Sequence, residues 1–423
     1  MSDPRATTIV HVPRRFVAEE WGGTETVILE ISRQQQAAGF SPVILTSLAL
    51  AKQREETIGG VPVKRFPYCY PFFGLSAADR AALDKKGGNL LSLPLFYALC
   101  RQPNVRLFHA HTLKRMGGEV RTAARLRKKP FVVSLHGGVF DVPPAELGSL
   151  LQPIENKFEW GRPWGALFGS RKVLTEADGI ICVGQSELEK ARRSLPHDRI
   201  AHLPNGVDCA KFAGGDRTAF RARHQIPAGA FMVLNLSRID AQKNQLLLLE
   251  AFARLHRQQP DAVLVLIGPE TQPDYAARLR EFVAARQLAA RVKILPGLRP
   301  DDPALVQAFQ ACDVFVLPSR HEPFGIVVLE AWSAGRAVIA SRVGGLQGLV
   351  RDGDTGLFID PNATDAAEDL AAKLGRLAAD RAWREKLGEA GRREARAHYD
   401  WTQIGQQLET LYQRAEEHRA QHA

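Results

Sequence analysis

The stretch IAHLPNGVD, residues 200–208, ends one series of apolar strands and comes just before a second series. Its Pro-Asn-Gly centre is a turn former, and the glycine-rich segment FAGGDR follows at 212–217. On both sides of this point short apolar runs alternate with helical stretches, which indicates strand-helix units and therefore parallel sheets. The sequence thus predicts two doubly wound α/β domains that meet near Asn205.

The predicted strands form two sets. The first set comprises residues 8–12, 42–46, 61–66, 106–111, 131–136, 179–184 and 200–204. The second comprises residues 231–237, 262–268, 292–297, 313–318, 337–341 and 356–359, and three helices follow from about residue 363. The predicted domains are 1–205 and 206–398, with a terminal helix at 399–423 that is expected to pack back on the first. Because open α/β sheets bind ligands beyond the carboxyl ends of their strands, we expect the functional residues in a cleft between the two sheets.

The composition is that of a soluble globular protein, with 45% hydrophobic and 24% charged residues. No apolar run reaches the roughly 18 residues that a membrane-spanning helix needs. The first residues, MSDPRATTIVHVPRR, lack the apolar core of a signal peptide. The five cysteines are scattered, which favours reduced thiols packed as small apolar residues. We therefore expect a cytoplasmic protein.

The first half of the chain carries most of the net charge of +10. Residues 1–205 hold 28 Lys and Arg against 19 Asp and Glu, an excess of +9. Lys114, Arg121, Arg125 and Lys128 recur at helical spacing, which predicts a basic helix face. This asymmetry suggests an anionic membrane surface or a lipid-linked phosphate as partner, although a solvated helix face explains the pattern equally well. A nucleic-acid partner would rest on charge alone, and we do not predict one.

Two cations follow the first strand of the second set. Arg238 comes directly after that strand, and Lys243 lies five residues later at a predicted helix start. An arginine fork, a lysine ammonium and the free amides of a helix N-terminus together suit a diphosphate. Either cation alone could be an ordinary surface charge, but their position at a strand end favours phosphate binding.

The segment HEPFGIVVLE, residues 321–330, carries two carboxylates around a helix start. Pro323 and Gly325 are expected to leave Glu322 in the loop and to place Glu330 in the second helical turn. Glu330 lies among apolar residues, so a partly buried carboxylate would need donors such as ribose hydroxyls. Glu322 could hold sugar hydroxyls, and the backbone amides of the helix start would contribute nearby. Those amides belong to Phe324, Gly325, Ile326 and Val327. A capping glutamate on an amphipathic helix is the simpler alternative for each residue taken separately.

The first half offers weaker signals. Gly22 and Gly23 follow the first strand and open a helix, where glycine allows a phosphate to approach the backbone. His111 and His136 each end a predicted strand and are candidates to face the cleft, although a hydrogen-bonded structural role is commoner for such a residue.

Several motifs are missing from the sequence. It contains no Gly-x-Gly and no Gly-Lys-Ser/Thr, which argues against a dinucleotide-binding dehydrogenase and a P-loop enzyme. The Asp-x-Asp at 352–354 resembles a turn between a helix and a strand, so we predict no catalytic metal and no cofactor.

Taken together, the motifs resemble glycosyltransferase family 4, whose members have the GT-B architecture of two facing Rossmann-like domains. The matching segments are Gly22–Gly23, SLHGG at 134–138, PNGVD at 204–208, SRIDAQKN at 237–244, the pair Glu322 and Glu330, and RDGDTGLF at 351–358. The resemblance covers nearly the whole chain. It implies sugar transfer from a nucleotide-diphosphate sugar to a hydroxyl acceptor, with retention and without a metal, in polysaccharide, glycolipid or glycoconjugate synthesis.

The resemblance also implies roles for individual residues. The amide of Gly23 would contact the diphosphate, which Arg238 and Lys243 would neutralise. Glu330 would hold the donor ribose, Glu322 would lie by the transferred sugar, and His136 would lie at the sugar and acceptor side. The first domain would bind a saccharide or lipid-linked acceptor. The acceptor side itself does not match any one subfamily: the aromatic loop at 68–74 and the long loop at 139–159 are candidates for an acceptor pocket or a membrane edge, and ordinary packed loops explain them equally well.

Two other functions remain open from the sequence. A sugar-nucleotide epimerase or hydrolase of the same architecture would bind the same donor, and so would a non-catalytic sugar-nucleotide sensor. The basic first domain also suggests peripheral association with an anionic membrane.

Overall fold

The computed structural model describes residues 7–18, 21–85, 87–137, 140, 152–155 and 157–422. The chain divides into two compact units, Met1–Pro204 with Trp401–Ala423, and Asn205–Asp400. The strands are β1 Thr8–Val12, β2 Ser41–Ser47, β3 Glu55–Ile58, β4 Val61–Phe66, β5 Val105–Ala110, β6 Phe131–Leu135, β7 Gly179–Cys182, β8 Ile200–His202, β9 Met232–Leu236, β10 Val263–Ile267, β11 Val292–Leu295, β12 Val314–Leu317, β13 Ala337–Ser341 and β14 Leu357–Ile359. The helices are α1 Gly23–Ala37, α2 Ala77–Lys85, α3 Leu93–Arg101, α4 Lys114–Leu126, α5 Arg162–Leu167, α6 Gln185–Ser194, α7 Cys209–Ala213, α8 Arg217–Arg223, α9 Gln245–Gln258, α10 Pro273–Ala285, α11 Pro303–Ala311, α12 Ile326–Ser333, α13 Leu346–Leu349, α14 Ala366–Ala379, α15 Arg381–His398 and α16 Trp401–Gln421.

The first unit contains one sheet in the order β3-β4-β2-β1-β5-β6-β7-β8. Its central strands are buried on both faces, as apolar and β-branched runs require in a parallel sheet. Strand β3 pairs antiparallel with β4 at the edge, and its sequence EETI carries too few apolar residues to predict it. Three histidines, His11, His109 and His111, lie at or just beyond the carboxyl ends of β1 and β5.

The terminal helix α16 belongs to the first unit. It buries one stripe of side chains, namely Trp401, Ile404, Leu408, Tyr412 and Ala415. Arg106 of β5 fixes the helix from the side by donating hydrogen bonds to Glu409 and Glu416 at 2.6–2.9 Å.

The second unit contains a parallel sheet in the order β11-β10-β9-β12-β13-β14. The helix α9 packs Leu248, Phe252 and Leu255 into its core, and α14 packs there as well. Because neighbouring strands run in parallel, the segments that follow β9, β12 and β13 all begin at the carboxyl-terminal edge of the sheet, where the strands end. Arg238, Lys243 and Glu322, three of the residues predicted to bind the nucleotide sugar, lie in the segments that follow these strands.

The predicted basic face of α4 is wrong. Arg121 is buried and pairs with Glu176, and Arg125 donates to the same carboxylate at 2.7 Å. Lys128 lies beyond the end of α4, in the left-handed conformation with φ 53°. Spacing along the helix could not reveal that an acidic residue 51 to 55 positions later neutralises two of these cations.

The aromatic loop at 68–74 is packed on one side. Tyr68 and Tyr70 donate to Asp84 at 2.5 and 2.9 Å, whereas Phe73 is 62% exposed. Most of the loop predicted at 139–159 lies outside the described residues. Among the helices that are described, none is long and apolar enough to cross a membrane.

Candidate active site

Arg238 stands in the loop that follows β9. Its guanidinium lies 3.3 Å from the Asp240 carboxylate and donates to Gln242 at 3.3 Å. With 37% of its side chain exposed, it still presents N–H groups to solvent. These two contacts hold the cation at the strand end while leaving donors for an incoming anion.

Lys243 is held five residues further on. Its backbone N–H donates to the carbonyl of Asp240 at 3.1 Å, which closes the loop before α9. Asn244 is the N-cap of that helix and has φ 56°. The Lys243 ammonium lies 2.6 Å from a carboxylate oxygen of Glu322, and only 13% of the lysine side chain is exposed. A lysine in this position is a point charge in a partly desolvated setting, which strengthens its attraction for phosphate.

Glu322 is positioned by a pair of glycines from the next loop. The amide of Gly345 donates to the Glu322 carbonyl at 2.9 Å. Gly344 has φ 48°, and a Cβ there would lie 2.3 Å from the same carbonyl oxygen. Only glycine permits both this conformation and this approach. The loop after β13 therefore fixes the loop after β12, a role that the Gly-Gly dipeptide alone did not distinguish from an ordinary turn.

The helix α12 begins immediately after the glutamate loop. Gly325 is its N-cap with φ 99°, and Phe324 before it is buried. Ile326 and Val327 are the first helical residues, so their amides have no acceptor within the helix. These amides form the positive end of α12 at the same edge as Lys243.

Glu330 lies in the second turn of α12 and is half-buried. Among the described residues, no group donates a hydrogen bond to its carboxylate. Desolvation raises its pKa to about 7, and the positive charge of Lys211 opposes this rise. A half-buried carboxylate without donors is suited to accept hydrogen bonds from hydroxyl groups.

Gly22 and Gly23 mark the start of α1 in the first unit. Gly22 is the N-cap, and its amide donates to the carboxylate of Glu25 at 3.1 Å. The Gly22 amide is thus engaged within the helix start. Gly23 is the first helical residue, and its amide has no acceptor within the helix.

His136 follows β6 in the first unit and is half-buried. Its Nε2 lies 3.0 Å from Nδ1 of His111, and burial lowers its pKa to about 4. His136 is therefore neutral at physiological pH. His111 is 8% exposed and lies between His136 and His11, so it belongs to an internal hydrogen-bond chain.

The structure brings some predicted residues together and keeps others apart. Lys243 and Glu322 are in direct contact, and Arg238 joins them through Gln242, whose side chain donates to the carbonyl of His321 at 3.3 Å. Within the described residues, no hydrogen bond or ion pair joins the Glu330 side chain to these residues. The glycines of α1 and His136 lie in the other unit.

Two family profiles match the chain side by side. The profile described as Glycosyltransferase Family 4 matches residues 21–211, and the one described as Glycosyl transferases group 1 matches residues 216–394. The fold and these matches define the protein as a glycosyltransferase.

Relatives that match nearly the whole chain are glycosyltransferases as well. The chain is 35% identical over 402 residues to D-inositol 3-phosphate glycosyltransferase of Rhodococcus jostii, covering 89% of this chain and 84% of the relative. It is 30% identical over 423 residues to the protein of the same name from Salinispora tropica, covering 94% and 82%. The chain belongs to glycosyltransferase family 4.

Solved structures confirm the predicted GT-B fold class. The Anabaena protein HepE in complex with UDP-glucose matches with a TM-score of 0.72 at 20% identity, over 96% of this chain and 99% of HepE. Sucrose-phosphate synthase from Thermosynechococcus elongatus matches with a TM-score of 0.71 at 22% identity, over 96% and 98%.

Proposed function

We propose that this enzyme transfers a sugar from a nucleotide-diphosphate sugar to a hydroxyl group of its acceptor, with retention of configuration and without a metal ion. The observation that carries the proposal is the Lys243–Glu322 contact of 2.6 Å at the strand edge that also holds Arg238. Retention is implied by the family resemblance.

The chemistry of the donor site follows from the charges at that edge. As the bond between sugar and diphosphate breaks, negative charge grows on the leaving diphosphate. Arg238 and Lys243 stabilise that charge, which is the role that a divalent cation fills in other enzymes. The leaving diphosphate itself takes the proton of the attacking hydroxyl, on the same face of the sugar. Glu322 accepts hydrogen bonds from sugar hydroxyls once the diphosphate has engaged Lys243.

Glu330 has a separate role in this proposal. Its carboxylate accepts hydrogen bonds from the two ribose hydroxyls of the nucleotide. The support is its half-buried position without donors and its pKa of about 7. The amides of Gly23, Ile326 and Val327 are helix-start donors that suit phosphate oxygens.

For the acceptor, we propose a phosphorylated polyol of the inositol phosphate class. The support is the name shared by the relatives from Rhodococcus jostii and Salinispora tropica, together with the +9 excess in residues 1–205. A small anionic acceptor suits that excess of positive charge. Lipid-linked and polysaccharide acceptors are the comparison substrates in the test.

The test is a transfer assay with purified full-length protein in EDTA. A panel of nucleotide sugars that includes UDP-glucose is offered with D-inositol 3-phosphate and, for comparison, with lipid-linked and polysaccharide acceptors, and the product mass is measured. The expected result is an acceptor-dependent product that carries one added sugar. Release of free sugar or of an epimer from the donor alone, faster than any transfer, would instead identify a hydrolase or an epimerase.

Peripheral association with the inner membrane face is a further part of this proposal. Phe73 and Phe158 are 62% and 69% exposed, with ring centroids 5.9 Å apart, and they lie in the basic unit. Exposed aromatic side chains on a unit with an excess of positive charge favour anionic lipid surfaces. Cosedimentation with phosphatidylserine vesicles at low salt tests this association. Failure to bind would contradict this association.

A further inference from the structure

Histidines at the strand ends of the first unit form a hydrogen-bonded chain. Nδ1 of His11 lies 3.0 Å from Nε2 of His111, whose Nδ1 lies 3.0 Å from Nε2 of His136. At the other end, Nε2 of His11 lies 2.8 Å from the side-chain oxygen of Gln35 in α1. His11 is fully buried, and Gln35 is 6% exposed.

The chain continues from Gln35 into the terminal helix. The amide nitrogen of Gln35 donates to the hydroxyl of Tyr412 in α16 at 3.1 Å. That hydroxyl lies 2.7 Å from Nδ1 of His109, and Nε2 of His109 lies 2.7 Å from the hydroxyl of Ser134. Seven side chains from α1, α16 and the ends of three strands are thereby connected in one line.

A metal site is the obvious alternative for such a cluster. One ring nitrogen each of His11, His109 and His111 lies within 4.8 Å of the others. However, both nitrogens of each of these three rings already have a hydrogen-bond partner within the chain. A bound ion would have to break several of those bonds, so hydrogen bonding accounts for the cluster more completely.

Because the rings are neutral, the donor and the acceptor of each hydrogen bond between the histidines can be assigned. Burial lowers the pKa of His11 to about 4 and that of His111 well below its ordinary value, so each ring carries a single proton. The Gln35 oxygen can only accept, so the proton of His11 is on Nε2. His11 Nδ1 then accepts from Nε2 of His111, and Nδ1 of His111 accepts from Nε2 of His136. The last ring is left with an unprotonated Nδ1.

We propose that Gln35 is a positioning residue that fixes the tautomer of His136 through His11 and His111. In that tautomer, His136 presents Nδ1 as a hydrogen-bond acceptor to a substrate hydroxyl. The contact between His136 and substrate rests on the proposed function, whereas the tautomer itself does not. His136 then selects for a hydroxyl donor and disfavours a phosphate oxygen at this position, since two acceptors repel.

Tyr412 links this arrangement to the terminal helix. Its hydroxyl accepts a hydrogen bond from the Gln35 amide nitrogen and lies 2.7 Å from Nδ1 of His109, so it satisfies the amide N–H while the amide oxygen faces His11. If the Gln35 amide nitrogen faced His11 instead, the ring protons of His11, His111 and His136 would each lie on the opposite ring nitrogen. The docking of α16 on the first unit therefore helps to hold the tautomer of His136.

Imidazole nitrogen NMR of the full-length, ¹⁵N-histidine-labelled protein tests the tautomer directly. We expect His136 to carry its proton on Nε2, with Nδ1 unprotonated. A proton on Nδ1, or an even mixture of tautomers, would overturn the proposal. Tight binding of added Zn²⁺ that shifts the ring-nitrogen resonances of His11, His109 and His111 would overturn it as well, since the cluster would then be a metal site.

Substitution at Gln35 tests the positioning role. In Gln35→Leu we expect His136 to become a mixture of tautomers and the turnover number to fall about tenfold, with UDP affinity unchanged. The matched control is Gln36→Leu, the exposed neighbour on α1, which should leave both quantities unchanged. If Gln35→Leu kept the wild-type tautomer of His136 or the wild-type turnover number, the positioning role of Gln35 would be refuted.

Failure of the proposed function would be distinguishable from failure of this inference. The first appears as absence of transfer by the wild-type protein. The second appears in the wild-type NMR spectrum, which needs neither substrate nor a folded variant.

Discussion

The ammonium of Lys243 lies 2.6 Å from the carboxylate of Glu322, with 13% and 11% of the two side chains exposed. A diphosphate that binds Lys243 must therefore compete with a carboxylate already paired to it. Removing the competing charge should strengthen binding of UDP, which lacks the transferred sugar that Glu322 is proposed to hold. We expect Glu322→Gln to bind UDP about tenfold more tightly than wild type, and Lys243→Met about tenfold more weakly.

Isothermal titration calorimetry measures both affinities. The matched control is Lys386→Met, an exposed lysine on α15, which should bind UDP as wild type does. Weaker UDP binding by Glu322→Gln would show that the pair acts as a unit and that the competition argument is mistaken.

Glu330 should make nucleotide binding depend on pH. Its pKa of about 7 is raised by desolvation, so about half of the molecules carry a neutral Glu330 near pH 7. Ribose hydroxyls donate to the ionised form and stabilise it, so binding releases a proton and affinity rises with pH. Between pH 6 and 8 we expect UDP affinity to increase roughly tenfold.

The variant Glu330→Gln separates this effect from ionisation of the nucleotide itself. It should bind UDP with a shallower pH dependence that reflects only the phosphate. Equal slopes for wild type and Glu330→Gln would rule out Glu330 as the titrating group.

Glu119 should lower the stability of the fold as pH rises. It is fully buried in α4, one carboxylate oxygen accepts from the amide of Ser92 at 2.7 Å, and burial raises its pKa to about 8. The folded state therefore holds a proton that the unfolded state loses near pH 4.5. Stability from this proton is complete below pH 4.5 and disappears as pH rises through 8, by about 2 kcal/mol between pH 6 and 8.

Urea unfolding at pH 6 and pH 8 measures this difference in the free energy of unfolding. Glu119→Gln cannot ionise and should show a difference smaller by that amount. A variant with the same pH dependence as wild type would mean that Glu119 does not titrate in this range.

Arg106 should control the docking of α16. Its guanidinium donates to both Glu409 and Glu416, and 12% of the arginine side chain is exposed. Because the two glutamates are about one-third exposed, water screens part of the interaction, and Arg106→Ala should cost only about 1–2 kcal/mol. Hydrogen exchange of the α16 amides should increase, while Arg33→Ala, on the exposed face of α1, should not change it. Unchanged protection of α16 in Arg106→Ala would show that apolar packing alone holds the helix.

The fold was predictable where one residue pattern determines one element. The strand TIVHV appears in the structure as Thr8–Val12, because five consecutive residues suit a strand buried on both faces. The edge strand Glu55–Ile58 was missed since its polar residues pair only with β4. The prediction of a basic face on α4 was wrong because Glu176, the partner of Arg121 and Arg125, is distant in sequence.

The candidate site was predictable to a different degree in each unit. Arg238, Lys243 and Glu322 follow strands whose carboxyl ends lie at one edge, so strand order alone brings them together. The histidine chain was not predictable, because Gln35 and Tyr412 are 377 residues apart and nothing in the local sequence connects them. Of the two roles considered for His111, the structure shows the hydrogen-bonded structural one, since its ring nitrogens are both engaged by other histidines.

The central claim is that Lys243 stabilises the diphosphate as it leaves the sugar. The most direct test compares wild type and Lys243→Met in single-turnover transfer to D-inositol 3-phosphate at saturating nucleotide sugar in EDTA. We expect the rate of sugar transfer to fall by about 10² to 10³ in the variant, the usual loss when one charge-stabilising group is removed. Transfer by Lys243→Met at the wild-type rate would contradict the assignment of the donor site.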